Sequence, residues 1–198
     1  MKDFDYKKQL VLHEAILFAT GKHAGQKRKG TDIDYICHPL EVLSILTAAS
    51  PRNVALQIAG VLHDTVEDTD TTLEEIRKHF GEKVEDYVAF MTEDKTQSWC
   101  DRREATVKAL QHAKSDDHIL MCADKLANLR DMCIGYQKSG EPFWDRFNAS
   151  KEDIQWYYKA TLTAMRNLSI DALTADLFGE AKVRYEELFG PLFENIWC

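Results

Sequence analysis

The stretch AGVLHDTVEDTD, residues 59–70, passes from apolar residues to a histidine and then to a run of acids. Placed on a wheel at 100° per residue, it separates into two faces. Ala55, Ala59, Leu62 and Val66 share one arc and form the stripe of a core-facing helix. His63, Asp64, Glu67 and Asp68 share another arc of roughly 140°, with His63 stacked on Glu67 and Asp64 on Asp68 at i,i+4. The spacing predicts a third helix from about Ser50-Pro51 to Asp68. Gly60 lies one turn before Asp64, beneath the polar arc, where a missing side chain leaves room for something to approach.

The pattern on either side is also helical. Nine glycines and four prolines punctuate the chain, and no sustained period-two alternation marks a strand. A first helix covers about Tyr6 to Thr20, with Leu10, Ala15, Leu17 and Phe18 among its apolar positions. Pro39 suits the first turn of a second helix, PLEVLSILTAA, because its missing N–H is not needed there, and His38 stands at that helix's N-terminal edge. Thr72 with Glu75 three residues on makes a capping box, and Gly81 closes the helix that follows. A fifth helix spans about Glu82 to Met91. A charged connection, TEDKTQSWCDRRE, leads into a helix that ends near Lys114. Ser115 or Asp116 caps the next, DHILMCADKLANLRDM, and GYQKSGEPFW reads as a loop. Two helices follow, in KEDIQWYYKATLTAMRNL and DLFGEAKVRYEELF. With no repeat and no linker, residues 1–198 read as one all-α domain, the C-terminal helices lying within 151–198.

Composition limits the partners. The 198 residues are 44% hydrophobic and 29% charged, enough for one sizeable core. A formal net charge of −8 repels DNA, RNA and anionic membranes as a whole, so a polyanionic ligand needs a local basic cluster or a bound cation. The N-terminal MKDFDYKKQL has no signal-peptide core, and no apolar run approaches a membrane span. The five cysteines are odd in number and form no CxxC pair, which reads as free thiols in a reducing, cytoplasmic setting.

A charge cluster is usually a solvated face. Three features count against that here. Acids at a helix C-terminus oppose the macrodipole, at about 0.3–1 kcal/mol each. Asp64 and Asp68 repel each other at i,i+4. No lysine or arginine falls between Val54 and Glu75. An unpaired cluster of this kind makes sense if a cation supplies the missing charge. The mixed N and O donors of His63-Asp64 suit six-coordinate Mn²⁺ or Fe²⁺ better than structural zinc. His38 and Asp124 are the candidates to complete the set. Asp124 interrupts the apolar run Ile119, Leu120, Cys122, Ala123, Leu126, where a lone acid is costly to bury; a pair with Lys125 or Arg130 is the plainer explanation of it.

That order of residues resembles the HD superfamily of metal-dependent phosphohydrolases. The segments HAGQKRKG, DYICHPLEVLSIL, AGVLHDTVEDT, TLEEIRKHFGEKVEDYV, MTEDK and ADKLANLRDM are similar, in unbroken order over about residues 5–160, to the hydrolase domain of RelA/SpoT-type alarmone enzymes, and most similar to small alarmone hydrolases such as the metazoan SpoT homologues. The resemblance implies an HD-type helical bundle. It also implies one divalent ion, usually Mn²⁺, held by His38, His63, Asp64 and Asp124, with Glu67 and Asp68 as the catalytic acids. Arg28, with Lys29 beside it, matches a position near guanine, and Asn128 one near ribose. Lys95 with Arg102 or Arg103 matches a phosphate-binding region. Asp34 stands where many members carry proline, which bears on the shape of the loop from Gly30 to Cys37.

The implied reaction is hydrolysis of the 3′-pyrophosphate of ppGpp or pppGpp, so the expected partner is a small nucleotide. Cleavage of the 2′-phosphate of NADPH or of nucleoside monophosphates uses the same metal chemistry. A non-catalytic alarmone or metal sensor is the reading from another class, against which intact Glu67 and Asp68 stand. The aromatic groups Phe143-Trp144 and Trp156-Tyr157-Tyr158 are core or pocket and carry no assignment.

Overall fold

The computed structural model describes residues 6–168 and 172–193, and they are helical almost throughout. Residues 1–5, which begin the MKDFDYKKQL reading, and Cys198 lie outside the described residues. The elements are α1 (Tyr6–Lys22), α2 (Cys37–Ala49), α3 (Val54–Leu62), α4 (Thr65–Asp68), α5 (Leu73–Phe80), α6 (Glu82–Met91), α7 (Trp99–Leu110), α8 (Ser115–Ser139), α9 (Lys151–Ala164) and α10 (Ala172–Phe189). Short 3₁₀ turns occupy Glu141–Arg146 and Arg166–Leu168. The sole β-type pairing among the described residues is an isolated bridge between Lys27 and Asp34.

Two helices form the inside. In α3 every residue from Leu56 to Leu62 is buried, and α8 buries an unbroken run from Ile119 to Ala127. Helices apolar on all sides belong at the centre. α1, α2 and α6 pack around α3, while α2 and α10 pack on α8. Arg130 ties the outer layers across α8, pairing with Glu41 of α2 at 3.3 Å and Glu180 of α10 at 2.7 Å. The plainer partner for Asp124 is therefore Lys125 and not Arg130. No helix of the described residues is long and apolar enough to cross a membrane.

Several local expectations hold at atomic detail. Thr72 Oγ1 accepts from the Glu75 N–H at 3.1 Å, half of the expected capping box, while the Glu75 carboxylate turns to Lys22 at 3.4 Å; Gly81 closes α5 with φ +89°. Others shift. The third helix does not run through to Asp68: it stops at Leu62, turns at His63-Asp64 and resumes as α4. The cause lies in two side chains. His63 Nδ1 donates to the Gly60 carbonyl at 2.8 Å and Thr65 Oγ1 to the Leu62 carbonyl at 2.7 Å, competing with the backbone for the acceptors of the last turn. The space at Gly60 is filled by α2, since a Cβ there meets Leu46 Cδ1 at 2.3 Å. In α1, Leu17 is 73% exposed, and the helix buries Leu12, Ala15 and Ala19 instead.

The GYQKS portion of the expected loop is the last turn of α8. Gly135 explains how a glycine stands inside that helix. The Phe143 ring lies where its side chain would be, with Cε2 2.1 Å from a built Cβ. Phe143 and Trp144 are thus core residues. Gly135→Ala should destabilise the fold by about 1–3 kcal/mol through overpacking. Gly179→Ala, in α10 with nothing within 4 Å, should stabilise it by about 0.5–1 kcal/mol. Urea unfolding of both variants reads the opposite signs.

Candidate metal centre

Four side chains from three elements meet at the junction of α2, the α3–α4 turn and α8. His38 Nε2 lies 3.2 Å from His63 Nε2 and 3.1 Å from Asp124 Oδ1. Asp64 Oδ2 stands 3.1 Å from His63 Nε2 and 3.6 Å from His38 Nε2. His38, His63 and Asp124 are all buried, with donor atoms within 4.8 Å of one another. Asp64 joins from the more open side.

The donor set fits a cation. A carbonyl can only accept, so His63 carries its proton on Nδ1 toward Gly60 and turns the Nε2 lone pair into the cluster. Two imidazole nitrogens and two carboxylate oxygens therefore point at one spot, and such a set is stable only around positive charge. Burial pulls the His63 pKa down, but the carboxylates of Asp64 and Asp124 outweigh it and hold the imidazole well above its ordinary value. Burial opposes the charge on Asp64 as well, and the neighbouring His63 reverses this and keeps that acid ionised. Asp124 is held low mainly by Lys125 and the two histidines against its own burial.

Glu67 and Asp68, on α4, line the same cleft of about 170 Å³. Glu67 is pushed above the usual glutamate range, chiefly by burial and then by the nearby acids, although its Oε2 accepts from the Glu93 N–H at 3.2 Å. Asp68 takes Lys95 Nζ on Oδ1 at 2.5 Å and the Tyr35 hydroxyl on Oδ2 at 3.1 Å. The cations absent from residues 54–75 thus come from elsewhere in the chain. Arg102 also approaches Glu67, at 3.9 Å.

Of the basic residues singled out in the sequence, Arg28, Lys29, Arg102 and Arg103 line this cleft or a second of about 360 Å³ that shares its walls, while Lys95 reaches the site through Asp68. Arg28 donates to Asn128 Oδ1 at 3.0 Å, and Asn128 in turn donates to Asp124 Oδ1 at 2.7 Å. Arg103 is held by Glu93 at 2.6 Å with its guanidinium 4.6 Å from the centre of the Tyr157 ring. Lys29 reaches Asn148 at 3.0 Å on the rim of the larger cleft. At the loop, Arg28 N donates to Ile33 O and Tyr35 N to Gln26 O, the Asp34 carbonyl accepts from Cys37 N at 3.1 Å, and its carboxylate pairs with Lys27 at 2.6 Å; none of these bonds uses the Asp34 N–H that a proline would lack.

Three residues of the site carried no assignment from sequence, and a fourth, Lys125, was named there only as the plainer partner of Asp124. Lys125, buried, pairs with Asp124 Oδ2 at 2.8 Å and lies 5.0 Å from the centre of the Tyr157 ring. The argument that singled out Asp124, a charge inside an apolar run, applies equally to its neighbour. Tyr35 has a signal in its place three residues before His38. Glu93 and Tyr157 have none, because nothing local distinguishes a buried acid that pins arginines, or a pocket-lining tyrosine, from its neighbours.

Residues 15–145 match the family model of the HD domain. The chain belongs to the HD-domain family. Over 123 residues, 61% of this chain and 69% of the relative, it is 43% identical to the human protein named guanosine-3′,5′-bis(diphosphate) 3′-pyrophosphohydrolase MESH1. It is 36% identical over 126 residues to an Aquifex aeolicus protein named guanosine-3′,5′-bis(diphosphate) 3′-pyrophosphohydrolase; the match covers 62% of this chain and 18% of that longer protein. Among solved structures, the metazoan ortholog of SpoT described as hydrolysing ppGpp superposes with a TM-score of 0.75 at 26% identity, over 90% of this chain and 97% of that one. A Listeria monocytogenes EGD-e protein superposes with a TM-score of 0.67 at 33% identity, over 75% of this chain and 99% of its own. HD membership and the grouped His38, His63 and Asp124 point together to a divalent metal.

A cation binding these imidazole nitrogens competes with protons for the same lone pairs. Divalent-metal affinity should therefore tighten as pH rises through and beyond the ordinary histidine range. At one hundred times its Kd the metal should stabilise the chain by about 2.7 kcal/mol, or about 5–10 °C in Tm. Thermal melts across a metal series at several pH values measure both, and His63→Ala should abolish the shift.

Proposed function

We propose that this chain is a single-domain, divalent-metal-dependent hydrolase that removes the 3′-pyrophosphate of ppGpp or pppGpp. The observation that carries this reading is the placement of Glu67 and Asp68 beside the buried His/Asp group in a cleft walled by Arg103, Lys125 and Asn128. The similarity to proteins named for this reaction supports the substrate. His38, His63, Asp64 and Asp124 are assigned as ligands of one ion. A set of two imidazoles and two carboxylates without thiolate suits Mn²⁺, with Fe²⁺ or another divalent ion as the alternative.

When bound, the ion supplies a Lewis acid and a water of lowered pKa at this position. The chain's own groups do the rest. Water adds to the phosphorus attached to the 3′ oxygen, that P–O bond breaks, the 3′ oxygen gains the proton that the water gave up, and pyrophosphate leaves GDP or GTP with a free 3′ hydroxyl. Glu67 takes the proton of the attacking water; burial raises its pKa, which brings it nearer the strength a general base needs at neutral pH. Asp68, fixed by Lys95 and Tyr35, orients the same water. Lys95 and Arg103 offset phosphate charge, Arg28 and Lys29 meet the guanine end, and Asn128 meets the ribose.

Purified protein with Mn²⁺ and ppGpp, NADPH or nucleoside monophosphates should release pyrophosphate from ppGpp. Orthophosphate from the others would favour a different phosphatase activity, and ppGpp binding without product a sensor. Asp64→Ala should lose metal and turnover together. Glu67→Gln should keep the metal and lose at least tenfold in kcat. The same change should raise stability. A carboxyl whose folded pKa lies above its unfolded value loses stability as pH climbs between the two, so at neutral pH the native Glu67 carries that cost and glutamine does not. Calorimetry of the variant at pH 7 checks the sign.

A further inference from the structure

We propose that Tyr35 is a positioning residue that sets the metal-facing acid and the catalytic acid with a single proton. The inference rests on the function proposed above. The Tyr35 hydroxyl lies 2.7 Å from Asp64 Oδ2 and 3.1 Å from Asp68 Oδ2. Asp64 Oδ2 is the same oxygen that faces both imidazoles. A phenol has one proton to give. It goes to the nearer Asp64 oxygen and leans toward the Asp68 oxygen, so one O–H stands between two carboxylates that would otherwise repel.

The phenol is delivered by a loop built to hold it. Tyr35 N donates to Gln26 O at 3.0 Å, and Gln26 Nε2 donates to the Asp68 carbonyl at 2.9 Å, so the strap that carries Tyr35 is itself tied to α4. The ring is wedged against His23, with centroids 4.8 Å apart, and its edge meets His38 at 6.1 Å. The Arg28 guanidinium lies 5.7 Å from the ring centre. These contacts belong to the ring and survive loss of the hydroxyl.

Two consequences separate this role from simple packing. The bond to Asp64 fixes which oxygen and which lone pair face the ion, the kind of outer contact whose loss typically weakens metal binding about 10–100-fold. The bond to Asp68 holds the carboxylate that orients the water, so its loss should appear in turnover and not in nucleotide affinity.

The test is Tyr35→Phe in the full chain. Mn²⁺ alone, titrated into the apo-protein by calorimetry, should bind at least tenfold more weakly than to the wild type. At saturating Mn²⁺, kcat for ppGpp should fall at least tenfold with KM within about twofold. The ring is retained, so Tm of the metal-free variant should stay close to that of the wild type. Mn²⁺ affinity within twofold of the wild type would overturn the proposal, and so would weakened affinity with full turnover once metal is saturating. If the wild type does not hydrolyse ppGpp, the reading of the substrate fails, while the Mn²⁺ titration still decides the role of Tyr35.

Discussion

The structure depends on a pocket of charge held inside a helical core. His38, His63 and Asp124 sit where α2, α3 and α8 meet, buried as deeply as the leucines around them. Charge at such depth is tolerated only when every member has an opposite neighbour. Lys125 neutralises one side of Asp124 and the histidines face the other. The helices around this point are therefore constrained twice, by apolar packing and by the need to keep these charges together.

The same constraint explains how a chain of net charge −8 can receive a polyanion. Its acids at residues 64–68 are answered by Lys95, Arg102 and the Tyr35 hydroxyl, all distant in sequence. Arg103 is held in place by Glu93 and stacked against Tyr157. Local field, and not net charge, decides what enters the cleft.

The helical class, the cap at Thr72 and the stop at Gly81 were legible because each rests on neighbours in sequence. The convergence of His63-Asp64 with His38 and Asp124 was legible as a charge imbalance, and the structure brings these residues together. What stayed hidden was set by tertiary contact. The break after Leu62 depends on side chains competing for carbonyls. The Gly135 inside α8 leaves room for the Phe143 ring, a contact between distant residues that sequence does not announce. Lys125 was legible as a partner of Asp124, with Arg130 as the alternative that the fold removes, and Glu93 and Tyr157 acquire meaning only when the segment after α6 and α9 reach the cleft.

Asp124, Asn128 and Asp131 all ride on α8, at intervals of four and three residues. One contacts the histidines, the next bridges to Arg28, and the last accepts from Arg28 and Arg146. A helix rises about 1.5 Å per residue, so the distance between the first and last is fixed at about 10 Å along a rigid axis. The helix thus acts as a ruler laid from the metal end of the cleft to its arginine end. Side chains along it can be exchanged one at a time, but a single inserted residue between Asp124 and Asn128 would swing the far end by about 100°. The distance from the buried His/Asp group to the Arg28 anchor is thereby written into the pitch of one helix, and not into the loops around it.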